Sequence, residues 1–254
     1  MLLAIDAGNT NTVLGVWDGA AWRAVWRRQT DPNDTEDQLA VWLKGLFDLS
    51  GLELIVDGVV IASVVPGLNE SFTRMSERWL GVQPRFLRAG RDVGLEVDYE
   101  PPHAVGADRI ANALAAIPRY GAPVIVVDFG TATTFDVIDS RGTYAGGAIL
   151  PGVEIAAEAL HGRTAKLPRV ELKAPARAIG KNTVHSLQSG LVLGYAGAID
   201  ALARRLAGEL EGQPRVVATG GLGSHFVELC PMLELYDPTL TLDGLVLAYE
   251  RLSS

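Results

Sequence analysis

Apolar and polar positions cut the first thirty residues into short pieces. Residues 2–5, 12–17 and 21–28 are apolar-rich runs, separated by turn signals at Gly8-Asn9 and Asp18-Gly19. An Asp-Gly pair between such runs is a strong hairpin signal, so three strands are predicted. The period then changes. Leu39, Trp42, Leu43 and Leu46 recur at i, i+3, i+4 and i+7, which places them on one helical face. Thr35 with Gln38 supplies a capping box before that helix, and Gly51 a stop after it. A strand over 58–64, a helix over 69–80 and a short strand over 85–87 complete the order βββαβαβ.

Residues 91–104 are polar and proline-bearing, without a clear period. Ile110, Ala113, Leu114 and Ile117 mark the next helix, which Gly121 closes. Three more strands follow over 123–152, with turns at Gly130 and Arg141-Gly142. Helices are predicted at 153–160 and over a long stretch, 183–210, whose apolar stripe is Leu187, Leu191, Tyr195, Ala198 and Leu202. A strand at 215–219, a turn at Gly220-Gly221, a helix at 223–229, a strand at 233–236 and a helix from 242 end the chain. The two halves repeat. Asp6, Gly8 and Thr12 each have a same-type counterpart 122 positions later, Asp128, Gly130 and Thr134, and the three-strand opening recurs around them. This reads as a duplicated α/β domain with mixed sheets flanked by helices, divided into 1–115 and 116–254.

Composition narrows the classes. A net charge of −8 over 254 residues argues against a nucleic-acid-binding surface, which needs clustered Lys and Arg. A single cysteine, Cys230, forms no internal disulfide, and the N-terminus MLLAID lacks the basic region of a signal peptide. No uncharged apolar run approaches the ~18 residues of a membrane span. The expected setting is the cytoplasm, with neither membrane nor nucleic acid as partner.

The repeated turns carry the candidate chemistry. A carboxylate at the end of a buried strand is costly unless it meets a partner. Each turn adds a glycine that lets backbone N–H groups approach a ligand, then hydroxyls: Thr10 and Thr12 in the first, Thr131, Thr133 and Thr134 in the second. Amides and hydroxyls suit polyphosphate oxygens, and a carboxylate beside them suits a hard cation. Either aspartate alone is equally met by a role in satisfying its own turn; the pair favours a metal–phosphate site. Neither a P-loop nor a dinucleotide fingerprint is present. His103, His161, His185 and His225 lack zinc spacing, and Cys230 reads as a buried structural thiol.

Asp108 opens the helix of Ile110, Ala113, Leu114 and Ile117, where the N-terminal dipole favours a carboxylate, and Arg109 beside it suits an anionic group. A capping Asp108 and a surface Arg109 meet the same pattern. Asn182-Thr183 begins the long helix, and Tyr99 precedes Pro101-Pro102 in the irregular passage. Gly220-Gly221 either leaves room for an adenosine or is only a turn.

Together, D6-A-G-N-T-N-T-V-L-G15, G106-A-D-R109, V127-D-F-G-T-A132, G146-G-A-I-L-P-G152 and N182-T183 resemble, in order and spacing, the type III pantothenate kinases over essentially the whole chain. The resemblance implies duplicated ribonuclease-H-like domains of the actin-like ATPase class. It also implies phosphorylation of pantothenate to 4'-phosphopantothenate by ATP with Mg²⁺, the first step of coenzyme A biosynthesis. A monovalent cation (K⁺ or NH₄⁺) and a homodimer are implied with it. On matching positions it assigns Asp6, Ala7, Gly8, Asn9, Thr10, Asn11, Thr12, Val13 and Thr131 to ATP. It assigns Asp128 to the monovalent cation and Tyr99, Gly106, Ala107, Asp108, Arg109 and Thr183 to pantothenate, with Asp108 as proton acceptor. The Mg²⁺ role of Asp6 rests instead on its loop, which carries Asn9 and Thr10 toward the phosphates. Two alternatives are a non-catalytic regulator of transcription and another small-molecule kinase on this fold. The first is disfavoured because Asp6, Gly8, Asp108 and Asp128 are all retained.

Overall fold

The computed structural model describes residues 1–88 and 90–253, and in it the first three apolar runs form a meander. Strands β1 (Leu2–Ala7), β2 (Asn11–Trp17) and β3 (Trp22–Gln29) are followed by α1 (Glu36–Leu49), β4 (Gly58–Ser63), α2 (Pro66–Met75), β5 (Pro84–Phe86) and α3 (Ala107–Tyr120). The sheet order is β3-β2-β1-β4-β5, antiparallel between β1 and its hairpin partner β2, parallel between β1 and β4. The predicted capping box is present. Thr35 accepts from the Gln38 amide at 3.3 Å, and the Thr35 amide donates to Gln38 Oε1 at 2.9 Å. It starts a helix whose Leu39, Leu43 and Phe47 share a core with Ile5, Val59, Leu68 and Phe72. Each such fully buried side chain contributes about 1.5–3 kcal/mol relative to exposure.

The second half repeats this plan. Strands β6 (Val124–Phe129), β7 (Ala132–Ile138) and β8 (Tyr144–Pro151) precede helices α4 (Val153–Arg163), α5 (Thr183–Gln188) and α6 (Tyr195–Ala207), then β9 (Arg215–Thr219), α7 (Gly223–Phe226) and β10 (Leu235–Tyr236). The order β10-β9-β6-β7-β8 matches the first sheet strand for strand. The long helix predicted over 183–210 is α5 and α6 joined by one π-helical turn, Ser189–Gly194. The wider turn shifts the stripe by one residue. Ala196, Ile199 and Ala203 are buried, whereas the expected Ala198 is exposed and Tyr195 and Leu202 are only half-buried.

The last helix, α8 (Leu240–Ser253), follows the second half in sequence but packs with the first. Thr241 Oγ1 donates to Asn112 Oδ1 of α3 at 2.7 Å, and Arg251 reaches the Val93 carbonyl at 2.6 Å. The compact units are therefore 1–118 with 239–254, and 119–238, whereas a division at 115/116 leaves this helix with the second half. Among the described residues no helix is long and apolar enough to cross a membrane.

Candidate active site

The first candidate loop is the turn between β1 and β2. Its backbone is tied down from within and from β3. The Gly8 amide donates to the Asn11 carbonyl at 3.0 Å, and the Thr30 amide, just past β3, donates to the Thr10 carbonyl at 2.8 Å. Thr30 Oγ1 donates to the Gly8 carbonyl at 2.7 Å and lies 2.9 Å from Thr12 Oγ1. Each hydroxyl has one proton, so Thr12 is the donor to Thr30. Asp6 is half-buried at the strand end, Thr12 is buried, and Asn9, Thr10 and Asn11 are exposed on the fixed backbone. Ala7 is buried, and Gly8 and Val13 are half-buried.

Asp108 lies in the first turn of α3. Its Oδ1 accepts from the Arg109 amide at 2.9 Å and folds back over Gly106, where any Cβ would overlap it. A Cβ there would also come within 3.7 Å of Val64, whose amide donates to the Ala7 carbonyl at 3.0 Å. Gly106, over which Asp108 folds, thus neighbours Val64, just past β4 and bonded to the end of β1 that leads into the first loop. Burial pushes the Asp108 carboxyl above its ordinary pKa, outweighing the Arg109 amide and charge, which pull it down. The helix N-terminus alone predicts a shift the other way, so desolvation is the stronger effect here. Arg109 is buried and Tyr99 half-buried.

The second loop, between β6 and β7, is one residue shorter. Phe129 pairs with Thr133 as Ala7 pairs with Thr12, leaving three residues between them instead of four. Thr133, rather than the expected Thr134, is therefore the counterpart of Thr12. Like Thr12 it is buried and bonded: Tyr195 places its hydroxyl 2.7 Å from Thr133 Oγ1 and 2.9 Å from the Pro151 carbonyl. The Gly152 amide donates to the Thr131 carbonyl at 3.0 Å, as Thr30 does to Thr10. A Cβ at Gly152 would collide with the Gly130 and Thr131 carbonyls. Half-buried Asp128 stands level with Thr134 on β7 and Thr219 on β9. Side chains paired in this way share one face of the sheet. The oxygen donors Asp128, Thr134 and Thr219 are thus of one hard-ligand type, which fits a hard cation.

These two glycine-bearing turns and the sheet topology are those of a known class. The type III pantothenate kinase family profile matches residues 2–205. A type III pantothenate kinase of Brevibacillus brevis is 48% identical over 252 residues, 99% of each chain. The chain belongs to the type III pantothenate kinase family. Among solved structures, a protein assigned to the Baf family of transcriptional activators from Campylobacter jejuni aligns with a TM-score of 0.63 at 20% identity, covering 98% of this chain and 97% of its own. One assigned as a 2-dehydro-3-deoxygalactonokinase from Sinorhizobium meliloti gives 0.61 at 15%, covering 98% and 96%. These two likenesses are of fold. Family membership makes this kinase an ATP-dependent enzyme that phosphorylates pantothenate in coenzyme A biosynthesis, using a divalent metal with its ATP.

Among the described residues no three His, Cys, Asp or Glu side chains gather as a metal site. Thr183 is exposed as the first residue of α5, and Asn182 caps that helix by accepting from the His185 amide at 2.8 Å. A cavity of about 860 Å³ in the second unit, lined by Leu160, Leu172, Leu187, Leu191 and Phe226 among others, includes none of the residues predicted for the site. All four histidines are exposed. Cys230 is buried, its thiol pushed up to about 12 by burial. Three residues that shape the loops escape a reading of the sequence: Thr30, Tyr195 and Tyr236. Thr30 and Tyr195 bond the first and second hairpins, and Tyr236 bonds the Gly220 carbonyl in the turn after β9. Tyr195 and Tyr236 fall within predicted elements, but their side-chain contacts are not encoded there, and Thr30 falls just past the third predicted strand.

Proposed function

We propose that Asp108 is the general base of this kinase, taking the proton of the pantothenate hydroxyl as its oxygen attacks the γ-phosphorus of ATP. The O–P bond forms, the β–γ bridging P–O bond breaks, and ADP leaves with the bridging oxygen. What supports this reading is the Asp108 carboxylate folded over Gly106, next to Val64, whose amide bonds the Ala7 carbonyl where β1 leads into the first loop. Phosphoryl transfer asks a protein chiefly to position groups and to neutralise charge. In this reading residues 6–13 and Thr131 hold the phosphates, with Asp6 the carboxylate nearest the Mg²⁺ that spreads their charge. Tyr99, Gly106, Ala107, Arg109 and Thr183 hold pantothenate, and Asp128 holds a potassium or ammonium ion. Desolvation makes Asp108 a stronger base than a solvated carboxylate.

The test is ADP release with ATP and Mg²⁺ on pantothenate, acetate and glucose, with and without potassium. Turnover on pantothenate alone is expected. Asp108→Asn should lower kcat by ~10²–10⁴, the range of a positioned acid–base group. Its folded pKa is raised, so Asp108 contributes most to stability below its unfolded pKa and loses that contribution as pH rises through the folded pKa. At neutral pH the asparagine variant should therefore melt higher than wild type. The wild-type rate should fall on the acid side at a pH above the ordinary carboxylate range. Full turnover by a folded Asp108→Asn enzyme removes the residue from the reaction.

The same reading takes the enzyme as a cytoplasmic homodimer. Its support is the family resemblance, and beside it the second unit exposes large apolar side chains, among them Ile149 on edge strand β8 at 62% and Ile179 at 73%. An apolar side chain standing free on an edge strand, as Ile149 does, is a candidate contact with a second copy where it belongs to a contiguous patch. Sedimentation should give a dimer that Ile149→Glu weakens; a wild-type monomer at micromolar concentration overturns this part.

A further inference from the structure

The turn after β9 presses directly on the Asp128 carboxylate. Gly220 has a φ of +82°, and a Cβ there would overlap Asp128 Oδ1 and the Phe129 backbone. A Cβ at Gly130 would lie 4.0 Å from the same oxygen. Asp128 is thus walled by two backbone turns, with Thr134 and Thr219 level with it on the sheet. The Gly220 turn is itself anchored by its carbonyl. That oxygen accepts from the Gly223 amide at a long 3.3 Å and from the Tyr236 hydroxyl at 3.0 Å. The Tyr236 ring covers Gly223, where a Cβ would come 2.7 Å from its edge carbons. The ring is carried by β10, in parallel register with Ala218 beside Thr219.

We propose that Tyr236 is a positioning residue for Asp128, acting through the Gly220 turn: its hydroxyl fixes the backbone wall that sets where the carboxylate stands. This rests on the reading of Asp128 as the monovalent-cation ligand. The physical reason lies in what the hydroxyl adds to the ring. A phenylalanine here would still cover Gly223 and keep the packing. It would leave the Gly220 carbonyl only the weak Gly223 bond, and the turn would be free to move away from the carboxylate or onto it. A cation held by few oxygens is sensitive to such a shift, because ligand distance and rigidity set its affinity. The same geometry accounts for Gly220 itself, since any side chain there displaces Asp128.

The test uses the full chain and reads cation binding through stability, because an ion that binds only the folded protein raises its melting temperature with concentration. Melting curves are taken across a potassium titration, with sodium holding ionic strength constant, for wild type, Tyr236→Phe, Gly220→Ala and Asp128→Ala. Wild type should show a potassium-specific rise and Asp128→Ala none. Tyr236→Phe should show the rise displaced ~5-fold to higher potassium, as expected for one lost hydrogen bond of about 1 kcal/mol. Gly220→Ala should displace it further. The potassium concentration for half-maximal turnover should move in parallel. If Tyr236→Phe lowers the melting temperature equally in both salts with the midpoint of the potassium rise unmoved, the tyrosine is merely structural and the proposal falls. If Asp128→Ala keeps the wild-type rise, the cation assignment fails and takes the proposal with it.

Discussion

The two halves of this kinase share a sheet order and a hairpin with an aspartate at its mouth, yet their hairpins differ in length by one residue. That residue changes what each loop can do. In the first half Thr30 follows the third strand, and there is room for its side chain to bond the Gly8 carbonyl. In the second half Gly152 occupies the equivalent position, and the tighter loop leaves no room for any side chain. The aspartates differ in company as well. Asp6 is level with Val13 and Ala62, Asp128 with Thr134 and Thr219. Asp6 thus has no side-chain oxygen donor level with it on the neighbouring strands, and the exposed Asn9, Thr10 and Asn11 follow it in the turn. A carboxylate between hydroxyls already has the oxygen-rich surroundings a small cation needs. Duplication supplied one scaffold; in the proposed reading the flanking residues and the loop length divide the labour between a phosphate loop and a cation site.

The largest effect that sharpens this contrast is expected from Asp6→Asn. If Asp6 serves the metal-bearing phosphates, turnover should fall by ~10–100-fold, the usual cost of losing a group that orients a metal's ligands. Pantothenate affinity should change little, because the proposed substrate groups stand elsewhere. A parallel loss of melting temperature, with normal turnover by the folded fraction, means that Asp6 only completes its own turn.

A smaller effect follows from making the second half resemble the first. Thr134→Val gives Asp128 the neighbour that Asp6 has in Val13, at constant shape. Loss of one hydroxyl should raise the potassium needed for half-maximal rate by ~5-fold. An unchanged potassium response, measured against sodium at fixed ionic strength, separates Thr134 from the cation and blurs the contrast.

How much of this was legible in the sequence depends on how local each feature is. The capping box at Thr35 and Gln38, the β9 strand and the three-strand opening of each half rest on neighbours in sequence, and all stand where the pattern puts them. Register across a hairpin is different. A constant spacing of 122 positions pairs Thr12 with Thr134, but a one-residue change in loop length moves every later residue to the opposite face. The stripe of the long helix fails for a related reason. The π turn at Ser189–Gly194 adds a residue to one turn, so a strict helical period drawn through Leu191 continues onto the wrong face at Ala198. The docking of α8 on the first unit and the contacts of Tyr195 and Tyr236 are long-range, and no local period encodes them. At the site the residue types were legible and the balance of forces at Asp108 was not. The helix dipole is visible in a sequence, whereas the burial that overrides it exists only once the chain has folded.

The smallest effect concerns Thr30, and it asks why one loop needs a side-chain tie that the other lacks. Thr30→Val keeps the shape and the amide that bonds the Thr10 carbonyl, so the one contact common to both halves survives. It removes the hydroxyl, leaving the Gly8 carbonyl and the Thr12 hydroxyl without the partner they share in a buried place. An unsatisfied buried group costs about 1–3 kcal/mol, which in a domain of this size lowers the melting temperature by roughly 2–4 °C per kcal/mol. The longer first loop has one more residue to order, and backbone ordering costs about 1–2 kcal/mol per residue. The Thr30 hydroxyl offsets part of that cost. Without it the loop should sample open states, raising KM for ATP a few-fold at little expense in kcat or in KM for pantothenate. If instead KM for pantothenate rises and that for ATP stays fixed, residues 6–13 are not the ATP loop, and the division of labour between the halves is reversed.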